Sequence, residues 1–250
     1  MSTEPYWRDG TCSLYLGDCR EIMPALGVTA DLIVADPPYG ETSLAWDRWP
    51  DGWLDTAAAA SRSLWCFGSL RMYLEHGAEF KAAGWKLSQD VIWEKHNGSS
   101  GANDRFNRVH EQLTHWYLGP WGSIHHETPT TPDAVARTVR RKFRPPHWGE
   151  INESAYASED GGPRLMRSVI PVRSMHGRAI HRTEKPVGIV APLIEYACPP
   201  GGLIADMFTG SGSVLDTARS LGRPSIGFEL HEPHAEAAAR RLSQMILEAS

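Results

Sequence analysis

The segment that most limits what this chain can fold into is Ala30 to Tyr39, ADLIVADPPY, where an apolar run of strand length stops against two prolines. Leu32 to Ala35 contain no polar residue, the pattern of a strand buried on both faces and hence of a sheet covered by helices on either side. Pro37 and Pro38 cannot donate to a strand ladder, so the chain must leave the sheet just after Asp36. A second unit of this kind lies near the other end. LIADMF (Leu203 to Phe208) reads as a strand, TGSGS as a glycine turn, and SVLDTARSLG as a helix closing at Gly222. Strands that alternate with helices in this way imply the α/β class, with a doubly wound, mostly parallel, Rossmann-like sheet.

Between these units the spacing predicts a tryptophan-bearing loop from Gly40 to Trp53, a helix from Leu54 to Ser63 and a buried strand from Leu64 to Gly68. A helix over LRMYLEHGAEFKAAG follows, stopped at Gly84, then two strands, WKLSQDVIWEK and His110 to Gly119. From Pro120 to about Arg182 the periodicity fades among prolines, threonines and arginines, so residues 120–182 read as an insertion. Regular patterning resumes with a helix from Val187 to Ala197, a turn at Pro199 to Gly202, the strand SIGFEL and a closing helix. Residues 1–119 and 183–250 therefore form one main domain, and 250 residues at 41% hydrophobic content suffice for its core.

Composition removes several classes. No apolar run reaches the roughly eighteen residues of a membrane span, and MSTEPYWRDG has no apolar stretch of a secretory signal. Cys12, Cys19, Cys66 and Cys198 stand singly, which disfavours a zinc site or a disulfide framework and suits a reducing cytoplasm. His125, His126 and the other histidines read as loop or surface residues, and no metal is expected. A net charge of −5 does not suggest nucleic-acid binding through overall charge, yet Arg137, Arg140, Arg141, Lys142 and Arg144 form a locally basic run.

Two motifs carry chemistry. Phe208-Thr209-Gly210-Ser211-Gly212-Ser213 places two glycines between a strand and a helix, where a ligand can approach the backbone closely. Leu215 occupies the position of the third dinucleotide glycine, which argues against a nicotinamide cofactor. Glu229 ends the next strand, where a carboxylate can take ribose hydroxyls, and Asp206 is suited to an ammonium group. Both also read as ordinary carboxylates around a structural turn. In Asp36-Pro37-Pro38-Tyr39 a strand-end carboxylate precedes two stiff residues with free carbonyls and an aromatic ring. That set suits a flat, amino-substituted ring; the plainer alternative is a rigid turn. Asp18 reads as a turn residue before a helix, Lys185 as a surface lysine, and Trp46, Trp49 and Trp53 as loop packing or as flanks of a bound base.

Asp36-Pro37-Pro38-Tyr39 resembles the DPPY motif of amino-group DNA methyltransferases, and Phe208 to Ser213 resembles their FxGxG motif. The DPPY-first, circularly permuted order is similar to the β-class of that family, over about Leu14 to Gly119 and His181 to Leu242. GDCREIMPAL (Gly17 to Leu26), the W-x-K-like VIWEKHNG and the HE-like VHEQLTHWYLG add to the resemblance, as does TEKP (Thr183 to Pro186), where Glu184 replaces the usual glutamine. It implies an S-adenosylmethionine cofactor held by Asp18, Cys19, Asp36, Lys185, Asp206, Phe208, Gly210, Gly212, Ser213 and Glu229. Asp36, Pro37, Pro38 and Tyr39 become the catalytic set, acting on a flipped adenine N6 in double-stranded DNA. The insertion 120–182 becomes the target-recognition region, with Arg137, Arg140, Arg141, Lys142 and Arg144 on phosphates; homodimeric assembly is compatible with this. Three alternatives stand beside it. An N4-cytosine enzyme more often has serine in place of Asp36. RNA or protein methyltransferases place the glycines before the Pro-Pro motif. A non-catalytic DNA-binding module would not need Asp36, Tyr39 and Phe208 together.

Overall fold

The computed structural model describes residues 3–44, 46–99, 104–141, 154–174 and 185–248. In chain order the elements are β1 (Trp7–Arg8), β2 (Cys12–Leu16), α1 (Cys19–Leu26), β3 (Leu32–Ala35), α2 (Trp53–Ala60), β4 (Ser63–Gly68), α3 (Leu70–Ala82), β5 (Lys86–Ser99) and β6 (Arg108–Tyr117). Then come β7 (Thr130–Thr131), β8 (Arg137–Arg141), β9 (Ser154–Ser158), β10 (Arg164–Leu165) and β11 (Val169–Pro171). The chain closes with α4 (Val187–Ala197), β12 (Ile204–Asp206), α5 (Ser213–Ser220), β13 (Ser225–Glu229) and α6 (Glu232–Glu248). Two compact units result: Met1–Glu127 with Ser168–Ser250, and Thr128–Arg167.

The larger unit holds a nine-stranded sheet in the order β1-β2-β13-β12-β3-β4-β6-β5-β11. Strands β2, β13, β12, β3 and β4 run parallel, and β6 runs antiparallel between β4 and β5. The apolar run of β3 explains its central place. Ile33 and Ala35 pack on one face with Ile22 and Met23 of α1, Trp53 and Leu54 of α2, and Met72 and Phe80 of α3. Leu32 and Val34 pack on the other face with Ile189, Val190 and Leu193 of α4 and Val214 of α5. Successive strand residues point to opposite faces, so a strand covered twice must be apolar throughout. Helices on both faces of a mostly parallel sheet make this the doubly wound α/β fold.

Several boundaries differ from the sequence reading, each for a local reason. Helix α2 ends at Ala60 rather than Ser63, because Ser61 is extended and its hydroxyl donates to the Ser63 carbonyl (3.1 Å). Strand β12 ends at Asp206 rather than Phe208, because the Asp206 carboxylate accepts from Phe208 N (3.2 Å) and turns the chain. The division between the units falls inside the stretch 120–182: Val169–Pro171 pairs in parallel with β5 in the main sheet. In the smaller unit the basic run is in part a strand, since β8 pairs antiparallel with β9.

The reading of the histidines as surface groups fails at His115, which is fully buried. Its Nε2 lies 3.0 Å from Ser63 Oγ and its Nδ1 lies 3.1 Å from Ser88 Oγ, so both ring nitrogens are satisfied in the neutral ring. Burial, with His126 adding to it, pushes the imidazole down to about 3. An unfolded histidine titrates near 6.5, so between these values the unfolded state binds a proton that the folded state does not. Stability from this residue is complete above about pH 6.5 and drains as pH falls, at up to about 1.4 kcal/mol per pH unit. Denaturant unfolding of wild type and His115→Asn between pH 7.5 and 4.5 should give the variant the shallower pH dependence; parallel curves would contradict the burial argument.

Candidate active site at the strand ends

The register of the parallel strands brings the candidate residues into one row. Leu16 of β2 is opposite Glu229, Gly227 of β13 is opposite Asp206, and Asp206 is opposite Val34 of β3. Asp18, Glu229, Asp206 and Asp36 therefore emerge together at the C-terminal edge. From β3 the chain proceeds to β4 on one side, whereas from β12 it proceeds to β13 on the other. The crevice between β3 and β12 is thus the topological switch point, where such sheets bind ligands.

The glycine turn is built against that crevice. Gly210 N donates to Glu229 Oε2 and His231 N to Glu229 Oε1, both at 2.8 Å. Glu229 therefore organises the turn as well as facing the crevice, and each oxygen keeps a further acceptor site. Gly212 has φ +77°, and a Cβ there would lie 3.1 Å from the Ala238 methyl of α6, so both backbone and packing require glycine. Ser213 then opens α5. Phe208 meets the buried Trp53 edge-on at 5.4 Å. Trp49 also packs, stacked on His76 at 4.0 Å, whereas Trp46 is exposed.

Asp206 is 2% exposed, and its Oδ2 has no hydrogen-bond partner among the described residues. Burial first, then the nearby Asp36 and Glu229 carboxylates, push it well above the usual carboxylate range. An orphaned, buried acceptor is costly. It fits a ligand that brings a cationic or N–H group to the crevice. Asp18 caps α1, accepting from Arg20 N at 2.9 Å, and Arg20 Nε reaches the same oxygen at 2.9 Å. That pairing holds its carboxyl below the usual range. The Cys19 thiol is buried and pushed up to about 12, so it stays protonated, and the residue opens α1.

The Asp36 turn is held by charge. Tyr39 donates its hydroxyl to Asp36 Oδ1 (2.8 Å), and Lys185 Nζ lies 2.8 Å from Asp36 Oδ2. Lys185, expected among the cofactor ligands, is thus placed on the Asp36 carboxylate. Burial raises Asp36, Lys185 opposes it and Glu111 adds to it, leaving Asp36 above its ordinary value. The Tyr39 phenol is driven well above its own by burial and by Asp36. Pro37 is buried and Pro38 half-buried. Beyond Tyr39, the buried Asp47 accepts from Gly40 N (2.8 Å) and Thr42 N (2.6 Å), fixing the loop. Beside Tyr39 opens a cleft of about 460 Å³ lined by Ser69, Leu70, Arg71, Leu74 and Arg108.

Sequence reasoning gave no role to Asp47, Glu111 or Lys95. The last two stood within the HE-like and W-x-K-like segments, whereas Asp47 carried no signal, because its partners are backbone amides. Arg137 is exposed on β8. Arg140 and Arg141 belong to β8, but their side chains, like all of Lys142, Arg144, Thr183 and Glu184, lie outside the described residues.

Comparison with known proteins gives consistent relatives. A profile of the DNA methylase family, N6_N4_Mtase, matches residues 30–240. YubD of Escherichia coli (strain K12), which carries the name of a methylase, is 28% identical over 239 residues, covering 91% of this chain and 88% of YubD. The type II methyltransferase M.HinfI of Haemophilus influenzae is 24% identical over 259 residues, covering 92% of this chain and 67% of M.HinfI. Among solved structures, the M1.HpyAVI–SAM complex superposes with TM-score 0.63 at 18% identity, covering 92% of this chain and 99% of that one. The PvuII cytosine-N4-specific DNA methyltransferase gives 0.65 at 13%, covering 95% and 88%.

The orphaned Asp206 makes a prediction that needs no ligand. An acid raised in the folded state binds protons more tightly there, so folding loses stability as pH rises through the raised value. Asp206→Asn should raise the melting temperature of the ligand-free protein at pH 7, with a gain that shrinks toward pH 4. A lower melting temperature at pH 7 would contradict the unpartnered state.

Proposed function

The chain belongs to the DNA methylase family, and from that premise we propose that it methylates N6 of adenine in double-stranded DNA after the base has flipped out of the stack. The cofactor is S-adenosylmethionine, which supplies an activated methyl group. The observation that carries the reading is the placement of Asp36, just beyond the end of β3, across the switch point from β12, whose last residue Asp206 is opposite Val34 and keeps an orphaned oxygen.

Each residue has a role in this scheme. Asp206 Oδ2 accepts from the ammonium of the cofactor's amino-acid part; Glu229 and Asp18 take its hydroxyl and adenine groups, with the Cys19 amide beside them. The amides of Gly210, Gly212 and Ser213 and the ring of Phe208 frame the crevice. The adenine amino group is a poor nucleophile because its lone pair is delocalised. Asp36 and the Pro37 carbonyl accept its two N–H bonds, localising electron density on nitrogen and aligning it, while Pro38 stiffens the turn. Tyr39 stacks on the extruded ring, which costs the duplex a few kcal/mol to release. Its hydroxyl also steadies Asp36, so the ring is not its whole contribution. The inserted unit within residues 120–182 acts in target recognition, with the basic run from Arg137 to Arg144 on phosphates.

Aspartate rather than serine at position 36 favours adenine. Transfer to cytosine N4 is the second reading, kept by the likeness in fold to an N4-specific enzyme. Nucleoside mass spectrometry after incubation with unmethylated DNA and S-adenosylmethionine separates them. N6-methyladenine is the expected product, N4-methylcytosine would replace the first reading by the second, and no methylated nucleoside would overturn both.

A further inference from the structure

Four charged side chains alternate in sign along one line through the site. Lys95 Nζ lies 3.1 Å from Glu111 Oε2, the same oxygen lies 3.5 Å from Lys185 Nζ, and Lys185 Nζ lies 2.8 Å from Asp36 Oδ2. The residues come from β5, β6, the segment entering α4 and the end of β3, so the line crosses the sheet. Lys185 is only 6% exposed, and a buried ammonium persists only with counter-charge. The Phe67 ring, 4.8 Å away, offers its face as well. The methyl transfer described above uses Asp36 and leaves Glu111 and Lys95 without a task.

We propose that Glu111 is a positioning residue for methyl transfer: it shares Lys185 with Asp36 and, opposed by Lys95, sets how tightly Lys185 holds the Asp36 carboxylate. This rests on the reading of Asp36 as the acceptor for the target amine. Both Asp36 oxygens are engaged, one by Tyr39 and one by Lys185. Each oxygen can accept a second bond, so an arriving N–H shares its oxygen with one of these donors, and an oxygen from which Lys185 is drawn away accepts that N–H more strongly. With Glu111 beside it, Lys185 can turn away from Asp36 and keep a counter-charge. Without Glu111, Asp36 is the one counter-charge left to the ammonium among the described residues, and the ammonium grips it. Lys95 works in the other sense, because it neutralises Glu111 and leaves Lys185 to Asp36.

The surrounding groups keep this assignment simple. Burial disfavours the Lys185 ammonium, but Asp36 and Glu111 outweigh it and raise Lys185 above its ordinary value. Burial likewise would raise Glu111, yet Lys185 and Lys95 hold it below the usual range. Around Asp36, the Cys66 thiol and the Tyr39 and Tyr73 phenols are pushed up by burial and stay neutral. Among the described residues Asp206 is the remaining carboxyl that interacts with Asp36, so the titration must be read at Asp36 itself.

The test is a carboxyl-carbon NMR titration of the full chain labelled at aspartate, with the Asp36 signal assigned through Asp36→Asn. Glu111→Gln removes a repelling charge and concentrates Lys185 on Asp36, so the Asp36 midpoint should fall by roughly one pH unit. Lys95→Met frees Glu111 to compete for Lys185, so the midpoint should rise by a similar amount, and Glu111→Asp should stay near wild type. In single-turnover methylation the acidic limb of the rate should move in the same directions. For Glu111→Gln, kcat should fall about tenfold with KM for DNA little changed. Midpoints that stay fixed, or that move the same way in both variants, would overturn the proposal. Should Glu111→Gln not fold, a fixed or lowered midpoint in Lys95→Met would do so. If the wild type methylates no DNA, the proposed function fails while the titration still decides this point.

Discussion

Everything at this site depends on placing two carboxylates, the half-buried Asp36 and the buried Asp206, at the ends of adjacent parallel strands. Neighbouring buried carboxylates repel, and burial penalises each charge separately. Asp36 is given a counter-ion, Lys185, and a hydroxyl donor, Tyr39. Asp206 is given one backbone amide and an open oxygen. The two ends of the crevice are therefore electrostatically unlike, one balanced internally and the other awaiting a donor.

The fold makes that arrangement durable. The fully apolar β3 is clamped from both faces, so the backbone at Asp36 cannot drift. The Pro-Pro turn and Asp47 then hold the loop beyond it. On the other side of the crevice, Glu229 ties the glycine turn to the end of β13 and α6 packs against Gly212. Desolvation at the edge is thus supported by packing in the layers beneath, which is where a parallel sheet has stability to spare.

Much of this was legible in the sequence because its signals are local. An apolar run, a Pro-Pro stop and a glycine turn each state their conformation within a few residues, and they located β3, β4, α5 and the row of carboxylates. What escaped depends on distant partners. The contact of Lys185 with Asp36 joins residues far apart in the chain, which no local rule shows. His115 seemed a surface group because its two serine partners lie 52 and 27 residues away. The short edge strand β11, three residues ending in a proline, offers no periodicity to read, and Glu111 acquires meaning only when β6 sets it beside Lys185.

The central claim is that the Asp36 carboxylate, held by the sheet and balanced by Lys185, acts directly on the target amine. The most direct test is single-turnover methylation of DNA by Asp36→Ala with labelled S-adenosylmethionine, beside a melting curve for the variant. The account predicts a folded protein whose transfer rate falls on the order of a hundredfold or more. A folded Asp36→Ala protein that methylates DNA at close to the wild-type rate would contradict it and leave the Pro-Pro turn a purely structural feature.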